Sequence, residues 1–485
     1  MSFVLQMAWI ALSSSYPMLF DEEYHVGIID IYSRQLGPFI TSQPPEAAFH
    51  GDITRYSSYF FHYLMSFPYR LIAVFTQDLM TKVIIMRFIC IALVIIGVWL
   101  FRKVILNFGV SKATANAVIL IFTLIPMVPF ALCQVNYDAL VFALLPLLLY
   151  FSQKASQPSD RQVWYIILLG ITSGFAAVTK FTTLPVIFAC IIFVGTYLYR
   201  QHKTTVLKVL WRQVRLVPRL QLVIASLFLV ISLGLFVERY VVNLVTYHSI
   251  EPTCDVLHTD AECLQYTVYQ RNSDLKKAYQ ANPHKLWNPI QYSVLYWIPH
   301  VFDDSFVTGT YVYPTNQPTT AIRTLPPDLS ANAGNPLLRF TGWAVFVVSV
   351  LVVIVASVRC RLVPQRLFYL FGLVIIIYSA ALWLKNYTDY LSLGSPVAAQ
   401  GRYYICLLIP MLLIVVLCFK QLVKDVRAYP YIFLISVLFL LTQSGGVSSF
   451  VLYSNPKWYW FRDQQAITQV NTAARKIIRP LIIFH

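Results

Sequence analysis

The chain has 485 residues, of which 58% are hydrophobic and only 12% are charged. Soluble domains carry roughly 25% charged residues, so this composition excludes an ordinary soluble protein and is typical of a membrane protein. The formal net charge of +16 would suggest nucleic-acid binding in a soluble protein, but its distribution along this chain favours a role in membrane topology.

Apolar segments recur along the whole chain and predict an all-α polytopic membrane protein. We expect about eleven transmembrane helices, within a range of roughly nine to thirteen, in one domain over residues 1–485. The first segment lacks a basic leader and a small-residue cleavage site, so we expect it to remain as an uncleaved span. The segments lie near residues 3–17, 83–101, 114–132, 139–151, 163–179, 181–199, 220–242, 340–358, 367–384, 403–419 and 431–452.

Two stretches require a choice between alternatives. If residues 163–199 formed a single helix, it would be about 55 Å long, much longer than the bilayer core of about 30 Å. Lys180 and Pro185 interrupt this run, so two helices that meet at TKFTT are predicted. Residues 53–75 contain basic residues and a proline among many aromatic residues, which predicts a helix in the membrane interface instead of a span.

Lysine and arginine residues are concentrated in alternate loops. Loops 102–112, 152–162, 200–219, 359–366 and 420–427 hold three, two, six, three and three of them. Basic residues favour the cytoplasmic side, so the N-terminus is predicted to be cytoplasmic. The other side then contains 18 of the 21 acidic residues. Its predicted parts are loop 18–82 with interfacial helices, the large loop 244–339 after the seventh span, and the tail 454–485.

Acidic residues directly follow the first apolar segment, in the sequence DEEYH. On a helix, Asp21 and Glu22 lie four and three residues before His25, so the three side chains share a face. Acids at this position also favour the N-terminal end of a helix dipole, and the sequence leaves that structural role open. The functional alternative is a general base at the membrane surface, with Asp21 and Glu22 as candidates.

A second polar cluster, NYD, is predicted to reach the same membrane face. Asn136 and Asp138 fit either a helix cap or a substrate-binding site. If Asp138 and Asp21 approach each other, their oxygens could hold a divalent cation such as Mg²⁺ or Mn²⁺. The sequence does not show that approach, so the metal site is a hypothesis.

Cations form the remaining candidate residues. Lys180, between two apolar helices, either extends to the interface or pairs with an anion such as phosphate. Arg402 lies at the start of a late span in QGRYY, a segment in which Gln400 and Tyr403 are also candidate substrate contacts. Arg239 is either a phosphate ligand or a member of a local ion pair with its neighbour Glu238. Cys254 and Cys263 share the large outer loop, and the sequence leaves open whether they form a disulfide.

The order of these motifs resembles integral-membrane glycosyltransferases of the GT-C superfamily. The resemblance rests on the acid pair after the first span, the arginine of MRFICIAL, Asn136-x-Asp138 and VTKFTTLP; QGRYY is similar to a bacterial membrane-protein family of unknown function. It implies a GT-C-like fold and transfer from a polyprenyl-phosphate sugar, with inversion, to a glycan, lipid or protein acceptor at the outer face of a bacterial cell membrane. Asp21 would act as base, Glu22 would assist, and Lys180, Arg402 and Arg239 would stabilise the leaving phosphate.

Two other functions are compatible with parts of the sequence. Intramembrane charges are also expected in a transporter or flippase of lipid-linked saccharides, although the chain shows no internal duplication of the kind common in transporters. A non-catalytic scaffold that uses the large outer loop to bind partners is the third alternative.

Overall fold

The computed structural model describes residues 2–18, 21–306, 336–360, 362, 364–423, 428–442, 445–454, 456 and 459–481. The first helices are α1 (Ser2–Ser13), α2 (Glu22–Ser33), α3 (Phe60–Phe75), α4 (Leu79–Asn107), α5 (Lys112–Leu124), α6 (Met127–Leu132), α7 (Asp138–Ala155), α8 (Gln162–Thr179), α9 (Leu184–His202), α10 (Val206–Val214), α11 (Arg219–Phe236) and α12 (Val242–Tyr247). They are followed by α13 (Cys254–Leu257), α14 (Asp260–Cys263), α15 (Thr267–Ala281), α16 (Pro289–Tyr292), α17 (Ile298–Phe306), α18 (Pro336–Arg359), α19 (Gln365–Leu393), α20 (Ile405–Leu422), α21 (Ala428–Thr442), α22 (Val447–Tyr453) and α23 (Gln464–Ile478).

The architecture confirms the predicted all-α polytopic membrane class. Seven helical segments of the described chain are long and apolar enough to cross a bilayer: α4, α7, α8, Phe181–Val214 with α9, Arg219–Tyr247 with α11, α19, and Gly401–Leu422 with α20. Four shorter apolar helices, Ser2–Ser13, Lys112–Leu124, Trp343–Arg359 and Ala428–Leu441, lie in other predicted spans. The total of eleven spans stays a prediction.

The predicted break between two helices at TKFTT is present. Helix α8 ends at Thr179, Lys180 has extended backbone angles of φ −156° and ψ 123°, and a 3-10 turn at Phe181–Thr183 leads into α9. Pro185 lies in the first turn of α9, where its missing N–H group leaves no helical hydrogen bond unmade. This geometry places Lys180 at a helix junction.

Two predicted single spans are interrupted, which corrects the sequence interpretation. The run 114–132 divides into α5 and α6 at Pro126, whose ring cannot continue the helical hydrogen-bond pattern. In the run 431–452, α21 and α22 are separate, and Gly446 between them has a φ of 62° that favours glycine.

Close packing of the spans is visible between α4 and α7. A Cβ atom added at Gly97 would lie 2.5 Å from the backbone oxygen of Phe142. Only glycine permits this approach of two helix backbones, as is common where membrane helices pack. The approach fixes α7, which carries Asp138, against the helix that carries Arg87.

Helix α3 corresponds to the segment predicted to lie in the interface. It has 16 residues, contains Pro68 and packs against α2. It is not one of the seven long apolar segments. Its outward side is apolar, with Leu64, Phe67, Leu71, Val74 and Phe75 exposed. The structure contains no membrane, so the interfacial position of α3 stays a prediction.

The predicted outer segments meet at one end of the helical bundle. The backbone N–H of Trp460 in the tail donates to the oxygen of Ser13 at the end of α1, at 3.4 Å. The large loop is tied by the disulfide between Cys254 and Cys263, which resolves the alternative that the sequence left open. Residues 307–335 of the predicted loop 244–339 lie outside the described residues.

Candidate active site

Two ion pairs unite the four charged residues that the sequence placed on one membrane face. Nη2 of Arg402 donates to Oδ2 of Asp21 at 2.7 Å, and Nζ of Lys180 donates to Oδ1 of Asp138 at 2.5 Å. These side chains come from α2, the start of α7, the α8–α9 junction and the turn before α20. Convergence of the two acids and two cations is therefore a feature of the fold.

Two tyrosine rings connect the ion pairs. The ring centroid of Tyr403 lies 5.4 Å from Nζ of Lys180 and 5.5 Å from Cζ of Arg402. The ring of Tyr137 lies 4.5 Å from the same Lys180 nitrogen. Aromatic rings at these distances attract cations, so they stabilise the charged forms of both basic residues beside their carboxylates.

Asp21 differs from the other three charged groups in its exposure. Its side chain is 53% exposed, against 9% for Arg402, 7% for Lys180 and 10% for Asp138. Asp21 also has a left-handed backbone, with φ 70° and ψ 23°, which is unusual for a non-glycine residue. It is the member of the cluster that an external substrate can reach.

The predicted catalytic partner Glu22 is engaged in a buried clamp. Oε1 accepts from Nε of Arg87 at 2.8 Å and Oε2 accepts from Nη2 at 2.7 Å; both side chains are 0% exposed. The backbone N–H groups of Met18 and Val135 donate to the same two oxygens. These contacts hold the chain before Asp21 and the chain before Asp138 on α4.

Contacts of Arg87 extend this clamp to the end of α1. Its guanidinium donates to the backbone oxygens of Ala11, Ser14 and Ser15 at 2.9, 2.5 and 3.0 Å. These contacts favour a structural role for Glu22, which would position Asp21. That Glu22 assists in catalysis stays an untested prediction.

Asn136 makes a local turn contact at the start of α7. Its Oδ1 accepts the backbone N–H of Asp138 at 2.9 Å, while Tyr137 occupies the N-cap position without a side-chain cap bond. The contact favours a local structural role for Asn136. A contact of Asn136 with substrate stays a prediction.

His25 lies next to the cluster in a buried histidine pair. Its Nδ1 is 2.8 Å from Nε2 of His62, and its ring centroid is 4.5 Å from that of Tyr137. Burial lowers the pKa of His62 to about 3 and lowers the pKa of His25 well below its usual value, with nearby cations adding to the second shift. Both imidazoles are therefore neutral near pH 7.

Tyr403 of the QGRYY segment lines a very small cavity beside the Lys180–Asp138 ion pair. Tyr403, Asp138, Lys180, Thr183 and Tyr378 form its polar wall, and the remaining lining is Val141, Leu145, Thr182, Val186, Cys406 and Leu407. Oε1 of Gln400 is buried and has no hydrogen-bond partner among the described residues. An acceptor in this state beside Arg402 is consistent with the predicted substrate contact.

Arg239 is placed apart from the other cations. It is fully buried, its Nη1 donates to the oxygen of Thr54, and its Cζ lies 4.8 Å from the ring centroids of Phe39 and Tyr59. Its Nε is 3.1 Å from Oε2 of Glu238. These contacts favour the local structural alternative that the sequence left open for Arg239. A role as a phosphate ligand stays an untested prediction.

The disulfide-bonded segment packs against the first outer loop. Nε2 of His258, inside the nine-residue separation of the two cysteines, is 2.9 Å from Oδ1 of Asp52. Tyr266 lies so close to Gly51 that an added Cβ would be 3.0 Å from its ring. The large outer loop therefore covers the loop that carries Asp21.

The two carboxylates of the predicted metal site are engaged in ion pairs within the protein. Asp21 and Asp138 each pair with a protein cation, and the described residues contain no group of three or more His, Cys, Asp or Glu side chains that could hold a metal. A hard cation needs several oxygen ligands. The metal requirement stays an untested hypothesis, and no chemical step below uses one.

One comparison finds a family similarity over part of the chain. Residues 60–232 match the family model of the dolichyl-phosphate-mannose-protein mannosyltransferases. The match confirms the resemblance to GT-C enzymes over that segment and supports a glycosyltransferase that uses a polyprenyl-phosphate-linked sugar. It includes Asp138 and Lys180, but Asp21 and Arg402 lie outside it. The similarity of QGRYY to a second family stays a prediction.

Searches of curated proteins and of solved structures found no match.

Three residues of the site were not identified from the sequence. Tyr137 contacts Lys180, His62 pairs with His25, and Tyr378 donates from its hydroxyl to the backbone oxygen of Tyr403 at 2.7 Å. Tyr137 lies within the NYD motif, so the sequence could have indicated it as a site residue. His62 and Tyr378 lie on apolar helices whose mutual packing sequence spacing does not reveal.

Proposed function

We propose that the protein transfers a sugar from a polyprenyl-phosphate donor to an acceptor hydroxyl, with inversion at the anomeric carbon. The observation that carries this proposal is the joint position of the exposed Asp21 and the buried cations Arg402 and Lys180. A base at the mouth of a site and cations behind it are the groups that such a transfer requires. The family match supports the donor class.

In the proposed reaction, Asp21 removes the proton of the acceptor hydroxyl. The oxygen attacks the anomeric carbon, the bond from that carbon to the phosphate oxygen breaks, and polyprenyl phosphate leaves with the electron pair. Oδ2 of Asp21 is bound to Arg402, so Oδ1 is the oxygen that receives the proton.

Charge balance gives Arg402 its part in the reaction. The two acids and two cations of the cluster have no net charge when all are ionised. As Asp21 gains a proton it becomes neutral, while the departing phosphate gains one negative charge. Arg402 then exchanges its carboxylate partner for the phosphate, and Lys180 supplies a second cation from within hydrogen-bond reach of Asp138.

The proposed membrane orientation rests on the basic loops. The candidate site lies at one end of the bundle, and α9 extends for 19 residues, or about 28 Å, to the basic segment 200–219 at the other end. Basic residues favour the cytoplasm. The proposal therefore places the N-terminus inside, and the site and the tail on the outer face of a bacterial cell membrane.

The decisive experiment compares Asp21→Asn with the wild-type protein in proteoliposomes that contain polyprenyl-phosphate sugars. Loss of the base should reduce release of polyprenyl phosphate by ~10²–10⁴-fold. Asp30→Asn is the matched control, because Asp30 lies on the same helix in an exposed pair with Arg34. Turnover of Asp21→Asn at the wild-type rate refutes the assignment, and movement of intact donor across the bilayer without bond breaking supports the transporter alternative.

A further inference from the structure

Helix α10 lies at the membrane end remote from the candidate site. It joins α9 to α11, and Lys203 separates it from α9 with a φ of 48° that ends the preceding helix. Because α9 begins beside the Lys180 junction and is about as long as a bilayer core is thick, α10 is positioned where the chain leaves the opposite side of the membrane.

The buried face of α10 is fixed by Gln213. Its Oε1 accepts the backbone N–H of Val163 and its Nε2 donates to the oxygen of Ser159, both at 3.0 Å. Gln213 is 6% exposed. These bonds attach α10 to the start of α8. They therefore fix the orientation of α10 and of its exposed faces.

An apolar stripe remains outside this contact. Leu207 and Trp211 are separated by one helical turn and are 80% and 64% exposed. Tryptophan is enriched where proteins meet lipid headgroups. The two large apolar side chains therefore project from the same face of α10, at the end of a span.

A basic stripe lies on the neighbouring face. Lys208, Arg212 and Arg215 follow at intervals of four and three residues, and all three are exposed. Among the residues that the structure describes, none of the ion pairs involves these three side chains. Arg215 continues the right-handed helical geometry as the C-terminal cap. Adjacent apolar and basic stripes distinguish an interfacial helix from a solvent-exposed one.

We propose that α10 lies in the membrane interface and binds the headgroups of anionic phospholipids on the face opposite the candidate site. Leu207 and Trp211 insert toward the acyl chains, while Lys208, Arg212 and Arg215 contact the phosphates. Charge complementarity identifies the lipid: a zwitterionic headgroup offers these three cations no net charge, whereas an anionic one does. The binding is independent of the glycosyl-transfer proposal.

The test measures lipid retention by the full-length protein in micelles doped with phosphatidylglycerol or phosphatidylcholine, using native mass spectrometry. Wild-type protein should retain phosphatidylglycerol preferentially. The triple variant Lys208→Gln/Arg212→Gln/Arg215→Gln should lower that preference by at least about tenfold, because each basic residue near an anionic surface contributes roughly fivefold. Raised salt should weaken wild-type retention in the same way.

The matched control removes three basic residues from the other side of the molecule. Lys276→Gln/Lys277→Gln/Lys285→Gln, in and after α15, should leave the preference unchanged. Equal retention of both lipids by the wild type overturns the proposal, as does an equal loss in both triple variants. An acidic protein partner in place of lipid would give the first of these results.

A second measurement addresses the apolar stripe. Leu207→Asn/Trp211→Asn should speed amide hydrogen exchange across residues 206–214 in phosphatidylglycerol nanodiscs, because the helix loses its insertion into the interface. Unchanged exchange contradicts the insertion. Amides in the middle of α4 (Leu79–Asn107) serve as the internal reference for global folding.

Discussion

Replacement of Glu22 by glutamine tests whether the buried clamp is structural. The two oxygens of Glu22 accept four hydrogen bonds, two from Arg87 and one each from the backbone N–H groups of Met18 and Val135. A glutamine amide has one acceptor oxygen, and its NH₂ group would face two of these donors in either orientation. One guanidinium N–H and one backbone N–H therefore lose their acceptor.

The expected cost follows from those losses. Each buried donor without an acceptor costs about 1–3 kcal/mol, and the guanidinium of Arg87 also loses its counter-charge inside the bundle. Loss of one partner of a buried ion pair destabilises a protein by about 3–5 kcal/mol. We expect Glu22→Gln to lower the free energy of unfolding by that amount. The cost should not be larger, because three backbone oxygens near Ser14 still accept hydrogen bonds from Arg87.

Denaturant titration of the purified protein in mild detergent provides the measurement. The exposed pair of Asp30 with Arg34, in which the side chains are 38% and 59% exposed, supplies the control: Asp30→Asn should change the free energy by less than about 1 kcal/mol. In the double variant Glu22→Gln/Arg87→Gln the effects should be less than additive. If Glu22→Gln keeps wild-type stability yet loses turnover, Glu22 is a catalytic residue and the structural reasoning is wrong.

Two further predictions concern buried cations and imidazoles. Because the pKa of buried His62 is about 3, against about 6.5 in an unfolded chain, stability should be complete above about pH 6.5 and fall below it by about 1.4 kcal/mol per pH unit for each of His25 and His62. Thermal unfolding between pH 7.5 and 5.5 tests this expectation. His62→Gln should flatten the dependence of stability on pH, whereas His284→Gln, at an exposed histidine, should not. Arg239→Met should lower stability without changing the KM for the donor; an increased donor KM at unchanged stability would instead assign Arg239 to the phosphate.

Hydropathy and charge were sufficient to predict the class of fold. Both signals are local. An apolar run of span length must cross the bilayer or be buried in the protein, and basic loops indicate the cytoplasmic side. The same signals did not show that α5 and α6 separate at Pro126. A proline within an apolar run is compatible with a kinked span or with two helices, and only packing against neighbours decides between them.

The charged cluster was predictable for a different reason. Ionisable groups in a membrane require partners, and counting spans placed two acids and two cations on the same face. The partner of each group was not predictable, since Glu22 and Arg87 are 65 positions apart and Arg402 and Asp21 are 381 positions apart. Which cation pairs with an external phosphate and which with the protein depends on a few ångströms of helix packing.

Helix ends explain why the four site residues respond as one unit. Asp21 caps α2, Asp138 begins α7, Lys180 follows α8, and Arg402 precedes α20, so each charge moves with a whole helix. A shift of one helix by a single turn moves its terminal residue about 5.4 Å, more than the length of either ion pair. The pairs therefore require a specific axial register of four helices. The Glu22 clamp fixes the two that carry the acids, because it ties the chain before Asp21 and the chain before Asp138 to Arg87 of α4.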